Sequence, residues 1–155
     1  MRAEEYPHPS SPAASAVMRG NRKTGTRPEV LLRSELHRRG LRFRKNVRLL
    51  TGSTSVRPDI SFSRLCVAVF VDGCFWHRCP QHGTSPNSNP DYWRHKLEGN
   101  VDRDAAVNAA LAEAGWRVVR VWEHTPLQQA AREIEEALDL ARESRRQVAD
   151  APPKV

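Results

Sequence analysis

Residues 57–82, RPDISFSRLCVAVFVDGCFWHRCPQH, decide how the rest of the chain must be arranged. The run Cys66-Val-Ala-Val-Phe-Val71 is continuously apolar and rich in β-branched residues, the pattern of a strand covered on both faces. Asp72-Gly73 ends it, and a loop crowded with Cys74, Phe75, Trp76, His77, Cys79 and His82 follows at once. Upstream, Asp59 opens a shorter strand over 59–63. A buried strand that carries acids and metal-ligand residue types to its own tip is a rigid frame for a hydrolytic site.

Outward from this stretch the pattern alternates. Thr26-Arg-Pro-Glu29 matches a capping box and predicts a helix to Arg39, stopped by Gly40. On it Glu29, Leu32 and Leu36 share one face. Residues 41–47 alternate apolar and basic, which predicts a half-exposed strand, and TGSTS (51–55) reads as a turn. Beyond the Cys/His loop, Asn89-Pro90 opens a long helix through Trp93, Leu97, Val101 and Leu111 that stops at Gly115. Residues 116–122, WRVVRVW, form another strand, and Thr125-Pro-Leu-Gln128 caps a helix with Ile134, Leu138 and Ala141 on one face. Helix, three strands, helix, strand, helix is an α/β order. The Pro- and Ser-containing residues 1–17 predict a disordered tail and 143–155 a flexible one, frayed from Ser144. That leaves 18–142 as a single domain.

Composition narrows the function. No apolar run is long enough to span a bilayer, and no charged-then-apolar leader pattern opens the chain, so a cytoplasmic protein is expected. Three Cys, with Cys66 inside the buried strand, argue against a disulfide framework and for a metal site. The formal charge is +7, yet between Arg19 and Arg48 alone there are eleven Lys or Arg against two Glu. A basic excess running through loop, helix and strand alike suits a polyanion, most simply nucleic acid, although basic helices also serve only to solubilise.

Each candidate residue also has a bland reading. Cys74, Cys79, His82 and His124 form a closed two-thiolate, two-imidazole set suited to structural zinc, or else a buried thiol beside solvated histidines. The loop has too few apolar residues to order itself, which favours the metal. Asp59 after Pro58 could simply end a turn, and Glu29 could be nothing more than a helix cap. Asp104 is harder to dismiss, because Trp93, Leu97, Asn100 and Asp104 fall on one helical face and a buried carboxylate needs a partner. His77, as a base that Asp104 orients, would supply one. Phe75-Trp76 either packs onto the loop or forms an apolar wedge between base pairs.

In order, MRGNRKTGTRPE (18–29), RPD (57–59), VDGCFWH (71–77), NVDRD (100–104) and GWRVVRVWE (115–123) resemble the motifs of very short patch repair (Vsr-type) DNA mismatch endonucleases. The resemblance spans about Met18 to Leu140. It implies a restriction-endonuclease-like (PD-D/E-x-K superfamily) α/β fold, with a central mixed sheet flanked by helices and a structural zinc loop. The implied activity is nicking one strand 5′ of the thymine in a T·G mismatch left by 5-methylcytosine deamination. The resemblance further implies Asp59 and the Val71 carbonyl as Mg²⁺ ligands, His77 as general base, Asp104 as its partner and Glu29 near the metal. It makes Cys74, Cys79, His82 and His124 the zinc set, Phe75 and Trp76 the intercalating aromatics, and Met18 an insertion from the other groove. Arg19, Arg22 and Lys23 of the basic arm would contact DNA.

Two positions depart from the family pattern. Asp72 stands where a well-studied member of the family has His, making it a further candidate for the catalytic metal, and the zinc set has two Cys and two His in place of three and one. A mismatch-repair partner and a cognate cytosine methyltransferase are implied as well, in a bacterial cytoplasmic enzyme found on the nucleoid when bound to DNA. One nick needs one active site, which suggests a monomer. Two rivals remain open: a restriction- or mobile-element-type nuclease on the same fold, and a zinc-stabilised DNA-binding module without catalysis.

Overall fold

The computed structural model describes residue 12, residues 24–52 and residues 54–149. The arm with Met18, Arg19, Arg22 and Lys23 lies outside the described residues. Helix α1 (Arg27–Arg38) starts with Pro28 in its first turn and ends at Gly40, whose φ of +78° only glycine adopts without strain. Its Leu32 and Leu36 are buried, as is Glu29. The capping box takes an altered form, because the Thr26 hydroxyl donates to the Glu29 carboxylate and caps no backbone N–H.

Strand β1 is only Arg44–Lys45, shorter than the alternation of residues 41–47 predicts. Asn46 takes a φ of 50°, a turn conformation that ends the strand. The chain then builds a hairpin, β2 (Leu49–Thr51) and β3 (Thr54–Val56), where a simple turn was expected. β-Branched Thr and Val favour the pleated surface, and Gly52, at φ +58°, makes the reversal.

Strands β4 (Ile60–Phe62) and β5 (Val67–Asp72) pair antiparallel. Cys66 belongs to the turn between them, with φ 52° and a half-buried side chain, so the expectation that it lies within the buried strand is corrected. Helix α2 (Pro90–Glu113) crosses over to β6 (Arg117–Trp122), which pairs parallel to β5. Helix α3 (Leu127–Ala149) continues past Ser144, where sequence suggested fraying, on residues that are all exposed.

Among the described residues the main sheet has the order β1-β4-β5-β6, antiparallel except for the β5–β6 pair, and is therefore mixed. Strand β5 is covered on both faces, as its continuous apolar run predicts. Val67 and Val69 face α1 and α3, where Leu32, Leu36, Ile134 and Leu138 close the larger core. Ala68 and Phe70 face α2 and the hairpin, with Leu49, Val56 and Leu111. Each large aliphatic side chain buried here contributes ~1.5–3 kcal/mol. An ion-pair chain joins the two helices of the first layer: Glu35 holds Arg38 and Arg39, and Arg39 reaches Glu135 on α3. No helix among the described residues is long and apolar enough to cross a membrane.

Candidate active site and metal centre

The parallel strands β5 and β6 end side by side, and the chain emerging from each turns into the site. A cleft of about 810 Å³ opens there, lined among others by Glu29, Asp59, Val71, Asp72, His77 and Asp104. Every acid and the histidine picked out from sequence for catalysis thus meet in one place. Four cations that sequence reading did not single out, Arg27, Arg57, Arg103 and Arg120, also line it.

Asp59 stands at the start of β4 behind the fully buried Pro58. Its Oδ2 accepts the Val71 backbone N–H at 2.8 Å. Burial pushes its carboxyl up to about 6, and the nearby Glu29 and Asp72 add to the rise against the pull of Val71 N–H and Arg33. Glu29, only 3% exposed, accepts from the Gly25 backbone N–H at 2.8 Å and the Thr26 hydroxyl at 3.0 Å, and lies 3.7 Å from Arg33 Nη1. It therefore acts as a cap and as a wall of the acidic cleft at once. A buried carboxylate raised by desolvation and by two acidic neighbours is one that a divalent cation would relieve.

His77 sits in the loop beyond β5, which is coiled by hydrogen bonds from His77 N–H to the Gly73 carbonyl and from Cys79 N–H to the Cys74 carbonyl. Helix α2 braces the loop from the side: Asn100 Nδ2 donates to the Trp76 carbonyl at 3.1 Å. One turn further along the helix, Asp104 Oδ2 lies 2.5 Å from His77 Nδ1. With Nδ1–H committed to Asp104, Nε2 is the nitrogen left to accept a proton. The helical stripe Trp93, Leu97, Asn100, Asp104 read from sequence is the face that α2 turns to the loop.

Asp72 is buried, and Arg120 Nη1 donates to both its oxygens at 2.8 and 3.0 Å. Sequence reasoning passed over Arg120, although a cation inside WRVVRVW is a signal that something must neutralise it. Glu123 was passed over too; its Oε1 accepts the Cys74 backbone N–H at 2.7 Å and anchors the loop's start.

Beneath the loop, Cys74, Cys79, His82 and His124 bring one ligand atom each within 4.8 Å of one another. Cys74 Sγ lies 3.0 Å from His124 Nδ1, and Cys79 Sγ lies 3.8 and 3.9 Å from His124 and His82 Nδ1. Tetrahedral sites with these donors have ligand–ligand edges of about 3.3–3.8 Å, so the donor set suits a single small ion, around which the atoms would need to shift by no more than about 1 Å. Burial and the neighbouring Cys79 push the Cys74 thiol up to about 11. A thiol raised this far sheds its proton most readily to a bound cation. Gly83 allows the loop to close, since a Cβ there would meet the Cys79 carbonyl oxygen at 2.6 Å.

Phe75 and Trp76 are half-buried and stack edge-on at 5.0 Å. Trp93 of α2 joins them, 5.5 Å from Phe75 and 6.1 Å from Trp76. The sequence placed Trp93 in the inward stripe; the structure makes it the third ring of an aromatic tip beside the cleft.

Comparison with known proteins adds a second line of support. The family model "DNA mismatch endonuclease Vsr" matches residues 10–82. The type II nicking enzyme V.NaeI of Lentzea aerocolonigenes is 50% identical over 134 residues, covering 86% of this chain and 81% of its own. The type II nicking enzyme V.XorIIP of Xanthomonas oryzae is 45% identical over 109 residues, 69% of this chain and 76% of its own. The DNA mismatch endonuclease Vsr of Escherichia coli K12 is 36% identical over 111 residues, 70% of this chain and 68% of its own.

Proposed function

The chain belongs to the Vsr family of DNA mismatch endonucleases and is a strand-nicking hydrolase; from that premise we propose that it cuts one strand 5′ of the thymine in a T·G mismatch, with His77 as general base. The observation that carries the proposal is the His77–Asp104 pair, at 2.5 Å, facing Asp59 across one cleft. A lone histidine beside a DNA groove would need no half-buried acid held against its ring nitrogen.

His77 Nε2 takes the proton of the attacking water, and Asp104 holds the ring in the tautomer that leaves Nε2 bare. Asp59 and the Val71 carbonyl would hold a catalytic Mg²⁺, which supplies charge neutralisation at the phosphoryl oxygens and the leaving oxygen. Asp72, already occupied by Arg120, serves the site through its neighbours more readily than as a metal ligand. Arg27, Arg57 and Arg103 present cations where phosphates of the bound strand would pass. Cys74, Cys79, His82 and His124 would hold a structural Zn²⁺ that keeps the loop rigid. On that rigid base the Phe75, Trp76 and Trp93 tip can enter a weakly stacked wobble pair at less cost than an intact duplex. One active site accounts for one nick, so the chain acts as a monomer.

The test is a nicking assay on end-labelled duplexes identical except for one T·G, T·A or C·G pair, with and without Mg²⁺. Mg²⁺-dependent cutting 5′ of the mispaired T, on that strand alone, is expected. Cutting of all duplexes alike would keep the nuclease and discard the mismatch specificity.

A further inference from the structure

Arg120 projects from β6 toward α2, beside Phe70 in the parallel register, and its guanidinium carbon lies 4.4 Å over the Phe70 ring. Nε donates to Asn108 Oδ1 at 2.9 Å. Nη1 takes both oxygens of Asp72, and Nη2 lies 3.4 Å from Asp104 Oδ1. The other oxygen of Asp104 is the one that meets His77 Nδ1. Asp72 Oδ1 lies only 3.9 Å from that same ring nitrogen.

A single imidazole nitrogen therefore has one carboxylate at hydrogen-bond distance and a second just beyond it. Asp72 is the more buried of the two, at 6% exposure, and without a counter-charge it would be the stronger attractor. The guanidinium fork removes it from competition and grips Asp104 by its far oxygen, which turns the near oxygen to the ring. A compact ammonium could neutralise Asp72 but could not span both acids.

We propose that Arg120 is a positioning residue of the nicking reaction, committing His77 to Asp104 by holding Asp72 and Asp104 apart. This rests on the reading of His77 as the base. The plainer alternative is that Arg120 only neutralises a buried Asp72, and the two differ in whether the effect of Arg120 runs through Asp104.

The experiment is a double-mutant cycle under single-turnover conditions on the T·G duplex with Mg²⁺, with duplex Kd measured in parallel. It uses Arg120→Gln, Arg120→Lys, Asp104→Asn and the Arg120→Gln/Asp104→Asn pair, with Asn108→Ala and His77→Ala alongside. Arg120→Gln is expected to lower the cleavage rate ~10–100-fold with Kd within ~2-fold, the signature of lost alignment. Arg120→Lys should recover less than half of that loss on a logarithmic scale. In the Asp104→Asn background Arg120→Gln should cost less than ~3-fold, because coupled residues do not add. Asn108→Ala, which frees Nε and leaves every charge in place, should cost ~3–10-fold and carries the test if Arg120→Gln does not fold.

An undiminished rate in folded Arg120→Gln or in Asn108→Ala overturns the proposal. So does a loss confined to Kd, full rescue by Lys, or a fully multiplicative loss in the double variant. Nicking retained by His77→Ala would overturn the base assignment itself, whereas a dead His77→Ala beside a full-rate Arg120→Gln overturns only the role of Arg120.

Discussion

Replacing Asp59 with Asn should stabilise the fold while abolishing nicking. A carboxyl that titrates at about 6 in the fold and at 3.8 in the unfolded chain costs ~3 kcal/mol once ionised in both states, at ~1.4 kcal/mol per pH unit between them. Because the folded form binds its proton more tightly, wild-type stability should fall as pH rises from about 4 to about 6, and the cost should be complete above that. Asn carries no charge at any pH and can still accept the Val71 N–H. Its advantage should therefore be near zero at pH 4, rise through the interval and level off by pH 7. Residual water around a half-buried side chain screens the charge, so ~3 kcal/mol is a ceiling and about half of it the working expectation.

For a domain of this size, 1.5 kcal/mol corresponds to roughly 5 °C in Tm. Urea unfolding at several pH values measures the quantity directly. The buffer should lack Mg²⁺ without containing a chelator, which would also strip the Cys/His cluster. Adding Mg²⁺ at about 100 times its Kd should then return ~2.7 kcal/mol to wild type and nothing to the variant. Equal stability of the two proteins at pH 8, or an advantage that grows toward low pH, would refute the reasoning.

His77→Ala should reduce the single-turnover cleavage rate by at least ~10²-fold with DNA affinity preserved, the ordinary contribution of a positioned base; band-shift and cleavage assays on one duplex separate the two effects. With the proposed zinc in the Cys/His cluster, wild type should carry one ion per chain and Cys79→Ser less, with a looser loop, read as metal content by emission spectrometry and as faster proteolysis between residues 74 and 89. Trp76→Ala should lose preference for T·G over T·A more than it loses affinity for matched DNA, and equal losses on both duplexes would remove Trp76 from recognition. Glu35→Gln should destabilise the fold at neutral pH, because hydrogen bonds from Arg38 and then Arg39 hold the Glu35 carboxyl down at about 2. The stabilisation is complete above the ordinary value of 4.5 and fades as pH falls toward 2, so the difference in urea midpoint should shrink across that window.

What could be read from sequence is what local spacing controls. The continuous run ending at Val71 foretold a strand buried on both faces, and β5 is one. The helical spacing of Trp93, Leu97, Asn100 and Asp104 aligned two polar groups with an inward stripe, and both found partners on the same loop. The hairpin at residues 49–56 was missed because Asn46 leaves the strand by a positive φ, a backbone choice that apolar alternation does not record. Cys66 was placed in the strand for the converse reason: its apolar character extends the pattern while its φ of 52° takes it out.

Arg120 escaped for a deeper reason. Alternation along β6 puts Val118 and Arg120 on one face and Val119 and Val121 on the other, and this much is in the sequence. Which face looks toward α2 depends on how β6 pairs with β5, and a slip of one residue exchanges the faces. In the observed register Phe70 sits beside Arg120, and the guanidinium reaches Asp72, Asp104 and Asn108. After a slip it would enter the aliphatic layer against α1 and α3 with no acid to meet, while Asp72 stayed buried and unpaired. Breaking such a pair costs ~3–5 kcal/mol, a large share of the stability of a domain this small. The network that aims His77 therefore also selects the strand register, and no local window contains either choice. An uncharged pair at positions 72 and 120 should accordingly leave the sheet free to pair wrongly, visible as doubled amide resonances for β6 in place of a simple loss of activity.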